Sequence, residues 1–371
     1  MNRRLWALVL AALALSATNA AAQVEITSKA AEIKITGRLQ AQYAYSSAAE
    51  ELSTVFLIRR ARITLEIKIN DFISGKIQPD YSTGFGFSNG LRLKDAYIDM
   101  DFAPELILRM GQFKRPFDIF ELTSSTQILA IERTGIVRGA DDCAGVGSLC
   151  SYSRFTEKLA YSDRDVGVEI GGVIAGHWVW SASMTNGNQF EETVRFIQAD
   201  TFEVFSEGKS FGSRLEYRAA DLRVGANVAA HDYANPVKLD RVDYGIGYGA
   251  DVDWGNWTSG LHLQVGITTG DNWRNLDEAG NPSTFWTTQA IVVYKFPLAG
   301  GHRVEALEPV ARISYGDPDT DVSDDGGLLI TPGFVVFFSG RNKLAVNMDI
   351  YTPGGDRDTE YSVKVMSYLY F

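Results

Sequence analysis

Tyr361, Val363, Val365, Leu369 and Phe371 alternate with Ser362, Lys364, Met366 and Tyr370, and the sequence stops on an aromatic. Period-two alternation separates an oily strand face from a partly polar one, a pattern shared by half-wet soluble sheets and lipid-embedded barrels. The opposite end of the chain separates these readings. Arg3 and Arg4 precede an apolar run from Leu5 to Leu15 and the small residues Ala20-Ala21-Ala22, the layout of a secretory leader cleaved before Gln23. That run is too short to cross a bilayer as a helix. Residues 1–22 therefore read as a signal peptide and 23–371 as one exported β-barrel domain.

Apolar residues make up 45% and aromatics 12%, with 35 glycines. A barrel looks soluble on average because lipid-facing and lumen-facing residues cancel. The formal charge is −11, so the basic footprint of a nucleic-acid binder is missing. Bulk charge leaves the lining of an internal path open. Cys143 and Cys150 lie in one Gly-rich segment; in an exported chain they read as a disulfide, with two free thiols as the alternative. Two Cys with no His nearby are too few for zinc, and no cofactor is expected.

The alternation template predicts sixteen strands. The first runs from Ile33 to Tyr45, with Lys34, Thr36, Arg38, Gln40 and Gln42 on the wet face. The second runs from Val55 to Asn70, with Arg60, Arg62, Thr64, Glu66 and Lys68 opposite Ala61, Ile63, Leu65, Ile67 and Ile69. The others are Phe72 to Tyr81, Leu91 to Phe102, Leu106 to Phe113, Asp165 to Ile174, Trp178 to Asn186, Lys209 to Ala219, Leu222 to His231 and Arg241 to Trp254. Trp257 to Thr269, Thr284 to Phe296, Val304 to Tyr315, Gly327 to Ser339, Lys343 to Tyr351 and Thr359 to Phe371 complete the set. Short connections such as Asn70-Asp71 and Ala103-Pro104 fall at every second position and longer ones between them, as in an outer-membrane barrel. The fold class is all-β: a 16-stranded antiparallel transmembrane β-barrel.

Sixteen strands leave an aqueous channel where eight would fill with their own side chains. The predicted activity is passage of solute, not catalysis. The connection from Lys114 to Arg164, about fifty residues, is too long for an idle loop. It is expected to fold into the barrel as the third extracellular loop and narrow it. By alternation Lys34, Arg38, Arg60, Arg62, Lys68 and Lys76 point inward, with Lys114, Arg115, Arg133 and Arg138 on or near the loop. Arg59 has the opposite parity, so either a bulge re-aims it or it sits in the interface belt. Acidic residues lie close in sequence to this basic set, and Glu132 with Arg133 reads as a pairing within the loop.

Gly111-Gln112-Phe113-Lys114-Arg115-Pro116-Phe117 resembles the signature of the phosphate-selective porin family, the porin O and P type. Arg59-Arg60-Ala61-Arg62, Ile131-Glu132-Arg133 and Asp165-Val166-Gly167-Val168-Glu169 support the resemblance, which covers the N-terminal half. It implies a homotrimer of sixteen-stranded barrels in outer-membrane lipid and lipopolysaccharide, passing small phosphate-like anions. It also implies that Arg59, Arg60 and Arg62 belong to an arginine row and that Lys114 is the lysine at the narrowest point. The alternatives are a non-selective diffusion porin, a barrel adhesin or a barrel hydrolase.

Other motifs are weaker. Gly208-Lys209-Ser210-Phe211-Gly212 fits a hydrolase pattern, but that motif needs a strand, an elbow and a helix. Of His177, His231, His262 and His302, none is read as pairing with a Ser by strand position. The aspartates from Asp317 to Asp325 lack the central Gly and terminal Glu of a calcium-binding hand and read as a solvated loop. Trp178, Trp254 and Trp257 are expected in the aromatic girdles of a membrane barrel.

Overall fold

A computed structural model describes residues 24–27, 32–50, 53–83, 90–187, 192–196, 199–204, 208–238, 242–299 and 303–371. The expected signal peptide lies outside the described residues, as does His302. Sixteen strands form one closed antiparallel cylinder: β1 (Glu32–Ser46), β2 (Thr54–Lys68), β3 (Ile73–Ser82), β4 (Gly90–Ala103), β5 (Leu106–Lys114), β6 (Arg164–Ile174), β7 (Trp178–Thr185) and β8 (Ser210–Ala219), then β9 (Leu222–Ala234), β10 (Val242–Gly255), β11 (Gly260–Leu276), β12 (Pro282–Pro297), β13 (Ala306–Asp317), β14 (Gly327–Ser339), β15 (Asn342–Pro353) and β16 (Glu360–Tyr370). Each expected strand has its counterpart, differing by a few residues at the ends. Two short helices, α1 (Ile119–Leu122) and α2 (Tyr152–Lys158), lie in the long connection after β5. Val24–Thr27 pairs with β1, and Glu192–Phe196 pairs with Ala199–Val204 in the connection after β7.

Closure removes the unpaired edge that an open sheet would expose to lipid. The last strand pairs with the first from Ser362 opposite Ser46 to Tyr370 opposite Arg38. Gly37 and Phe371 then exchange backbone hydrogen bonds of 2.7 and 3.1 Å. The terminal ring covers Gly37 so closely that a Cβ there would sit 2.2 Å from it, which is why a glycine stands at the seam.

The outer surface is the oily face that alternation predicts, with Leu39, Ile63, Ile98, Met110, Ile170, Leu215, Ile267, Ile313, Phe334 and Leu369 exposed. Trp178 and Trp254 are exposed at strand ends. Trp257 departs from the girdle expectation. It packs against a buried apolar cluster and meets His262 edge-on at 3.9 Å, because the His262 ring offers it a partner inside.

Residues 115–163 pack against the inner side of the wall. Phe117, Phe155 and Tyr161 join Tyr233, Trp273 and Phe285 in one cluster, with Phe155 stacked on Phe285 at 5.1 Å. Ile119, Phe120, Leu129, Ile131 and Tyr152 join Ile291, Val293, Val310, Val335, Phe337 and Met366 in another. The disulfide Cys143–Cys150, with Cα atoms 5.4 Å apart, closes a turn in the first cluster. Polar anchors complete the docking: Ile131 N donates to Asn347 (2.5 Å), Ile136 N to Asp349 (2.8 Å), and Trp273 Nε1 to the Leu159 carbonyl (2.9 Å). These bonds satisfy loop backbone groups that burial would otherwise leave without water.

Candidate functional site

Strand alternation carries Arg38 on β1, Arg60 and Arg62 on β2 and Lys76 on β3 to the inner side. Two β-bulges then add cations that alternation alone would send outward. On β2, Gln40 pairs with Arg60 and Ala41 with Ile58, so Arg59 is the extra residue. The bulge turns Arg59 inward onto Glu132, which it grips with Nε and, at 2.7 Å, with Nη2. On β4, Gln78 pairs with Asp95 and Pro79 with Leu93, leaving Lys94 between them. Bulges of this kind re-aim side chains where a sheet serves a site.

The cavity these residues line has a volume of about 1170 Å³. Among the described residues its lining comes from 38–223, with 17 Arg and Lys side chains against 8 Asp and Glu. Many of the cations are already matched. Arg60 Nη2 lies 3.3 Å from Glu132, Arg62 Nη2 2.7 Å from Asp80, and Lys76 Nζ 2.7 Å and Arg164 Nε 2.5 Å from Asp95. Glu121 collects Lys114 (3.4 Å), Arg133 (3.3 Å) and Arg164 (3.8 Å). Burial would raise the Glu121 carboxyl, but Arg133, Lys114 and Arg164 pull it down to about 2, so it stays ionised. The pairing of Glu132 with Arg133 does not form, because Arg59 and Arg60 reach Glu132 while Arg133 turns to Glu121 and to the carbonyls of Phe120 and Thr123.

Of the residues proposed from sequence, Arg38, Arg59, Arg60, Arg62, Lys76, Lys114 and Arg133 line this cavity. Lys34 and Lys68 lie apart from it, in a shallow depression, with Lys34 3.7 Å from Glu66 and Lys68 2.8 Å from Asp71. Arg115 is a buried strut that faces away from the path, bonded to Asp165 at 2.7 Å and to the Ala160 carbonyl. Sequence reasoning missed Arg92, Lys94, Arg109, Arg154, Lys158, Arg164, Arg214, Arg218 and Arg223. For β4 a signal was available. Leu91 and Leu93 are odd-numbered lipid residues, whereas Ile98 is even, so the oily row changes parity within the strand.

Ser210 and His231 correct the reading that no Ser–His pair forms. They stand opposite each other across the β8–β9 hairpin, with Oγ to Nδ1 at 2.7 Å. Asp232 bonds Ser210 (2.9 Å), and among the described residues His231 Nε2 has no hydrogen-bond partner. An activated serine needs a third group orienting the base and access for substrate; Ser210 and His231 are both buried.

The family model described as phosphate-selective porin O and P matches residues 33–252. No curated protein matches the sequence significantly. Among solved structures, the outer membrane channel DcaP of Acinetobacter baumannii has a TM-score of 0.65 at 14% identity, covering 93% of this chain and 99% of its own. The anion-selective porin from Comamonas acidovorans has a TM-score of 0.65 at 12% identity, with 92% and 100% covered. Salmonella typhi OmpF, in complex with daunomycin, has a TM-score of 0.60 at 12% identity, with 94% and 100% covered. At such identities these structures share the fold.

Proposed function

From the premise that the chain belongs to the phosphate-selective porin O and P family and forms an outer-membrane porin, we propose that its channel passes small anions, phosphate-type solutes among them, by diffusion. One observation carries this reading: in a chain of net charge −11, the described residues lining the cavity include 17 cations and 8 carboxylates. A hydrated anion enters a narrow pore when fixed charges replace part of its hydration. Arginine suits phosphate because its planar fork donates two parallel hydrogen bonds. Several partly matched cations in series hold an anion weakly enough to release it.

Within that lining, Arg38, Arg59, Arg60, Arg62, Lys76, Lys114 and Arg133 are proposed to form the first bank of the path, and Lys34 and Lys68 to act at its edge. We propose that the porin is a homotrimer in outer-membrane lipid and lipopolysaccharide, as the family resemblance implies. The chemistry is passage without a covalent step. Phosphate titrated into a chloride-bathed planar bilayer is expected to block the chloride current in a saturable way. Additive currents without block would sink the phosphate part of the reading.

A further inference from the structure

Gln112 is a polar side chain on a face built for lipid. On β5 it shares the parity of Leu106 and Met110, both exposed and apolar. Its amide nitrogen donates to the carbonyls of Leu93 (2.6 Å) and Lys94 (2.9 Å). These are the carbonyls at the β4 bulge, where the ladder skips Lys94. Lipid offers them no hydrogen bond, so a bulge on this side needs a protein donor. The preceding residue serves the same approach. Gly111 has φ +129°, and a Cβ there would meet the Ala96 carbonyl oxygen at 2.2 Å, so only glycine brings β5 this close to the bulged strand.

The bulge decides where Lys94 points. Asp95 faces inward to Lys76 and Arg164, and under strict alternation its neighbour would face lipid. With the bulge, both line the cavity. Among the described residues the Lys94 ammonium makes no hydrogen bond or ion pair. The nearby carboxylates are occupied, Asp95 by Lys76 and Arg164, Asp80 by Arg62, and Asp163, which attracts Lys94 from beyond ion-pair distance, by Arg164 at 3.7 Å.

We propose that Gln112 is a positioning residue that holds the β4 bulge open from the lipid side, and that Lys94, kept in the channel by it, is the cation that sets the preference for anions. An ammonium that no carboxylate pairs directly is one a passing anion can still use. The first two residues of the Gly111-Gln112-Phe113-Lys114 stretch thereby gain a function: they shape the neighbouring strand. This inference rests on the anion preference proposed above.

The test separates the two. Reversal potentials of the unaltered porin in a salt gradient judge the anion preference itself. Against that baseline, K94Q is expected to lower the chloride-to-potassium permeability ratio by about three-fold or more, and Q112L to lower it similarly, with K94Q/Q112L no worse than K94Q alone. Lys94→Cys provides the only thiol beside the Cys143–Cys150 disulfide. Labelled with a quaternary-ammonium thiosulfonate, it should regain anion preference. In the Q112L background its labelling should slow by about ten-fold, as a thiol turned into lipid escapes a charged reagent. If Q112L fails to show the heat-modifiable mobility of a folded barrel, Q112N, with an amide too short to span both carbonyls, replaces it. A wild-type permeability ratio in K94Q, or equal labelling in both backgrounds, would overturn the proposal.

Discussion

The wall from β1 to β8 and the wall from β10 to β16 obey the same alternation, yet their inner faces differ in kind. The first presents charges to an open cavity: Arg38, Arg62, Lys94, Asp95, Arg109, Arg164 and Arg214 among them. The second presents Ile291, Val293, Val310, Val335, Phe337 and Met366, and the long connection covers them. One side is therefore a path and the other a mount. A loop that plugged the barrel centrally would have to match charge everywhere; here hydrophobic burial holds it to one side and leaves an open cavity along the other. Within the mount Asp349 forms a fully buried triad with Arg312 (2.9 Å) and Lys364.

This contrast predicts that equal losses of charge act differently on the two sides. Asp349→Asn would leave two buried cations facing a neutral amide, and removing one partner of such a group costs about 3–5 kcal/mol. The thermal midpoint of the gel-mobility shift should fall sharply. An unchanged midpoint would mean that the mount is wetter than its geometry implies. Glu132→Gln is the matching change on the path side. It removes the negative charge that Arg59 and Arg60 share, and the expected result is a chloride-to-potassium permeability ratio raised by about two- to five-fold, read from reversal potentials. A lower ratio would show that Glu132 chiefly holds the loop.

A finer test compares two lysines. Lys114 borders the cavity and is tied to Glu121, whereas Lys34 is half exposed in the separate depression with Glu66. Lys114→Glu should reduce anion permeability several times more than Lys34→Glu, since an exposed ion pair contributes only about 0.2–1 kcal/mol. Single-channel chloride conductance of the two variants decides it; equal losses would detach selectivity from the loop. The smallest effect concerns pH. Burial first, and Asp251 second, push the Asp118 carboxyl on the loop up to about 7. A carboxyl raised from its usual value near 4 in the folded state favours docking while protonated. Its contribution is complete below about pH 4 and is lost as pH rises through about 7. Midpoints measured across that range should decline, and Asp118→Asn should flatten the decline.

The cylinder was legible in the sequence because alternation repeats in every strand and a one-residue error would turn an oily row inward. Arg59 shows the limit of that rule: Val55 and Leu57 are as apolar as Phe56 and Ile58, so parity could not say where β2 bulges. Lys94 was readable from the parity change between Leu93 and Ile98, yet a template of strict alternation passes over it. Ser210 and His231 were also within reach, since the register of a tight hairpin sets them opposite each other. The mount was harder. Runs such as Ile291-Val292-Val293 and Phe334-Val335-Val336-Phe337 mark strands covered on both faces, but nothing local says that the cover comes from residues 115–163. The pairing of Glu132 with Arg59 and Arg60, more than seventy residues away, depends on that docking and has no sequence-neighbour signal.

The central claim is that the basic side of the lumen governs what passes. A single purified channel in a planar bilayer, with a ten-fold gradient of potassium chloride across it, tests this most directly. A reversal potential of the sign set by chloride, shrinking toward zero in K94Q, is the predicted result. A potential near zero, or one set by potassium, in the unaltered protein would contradict it.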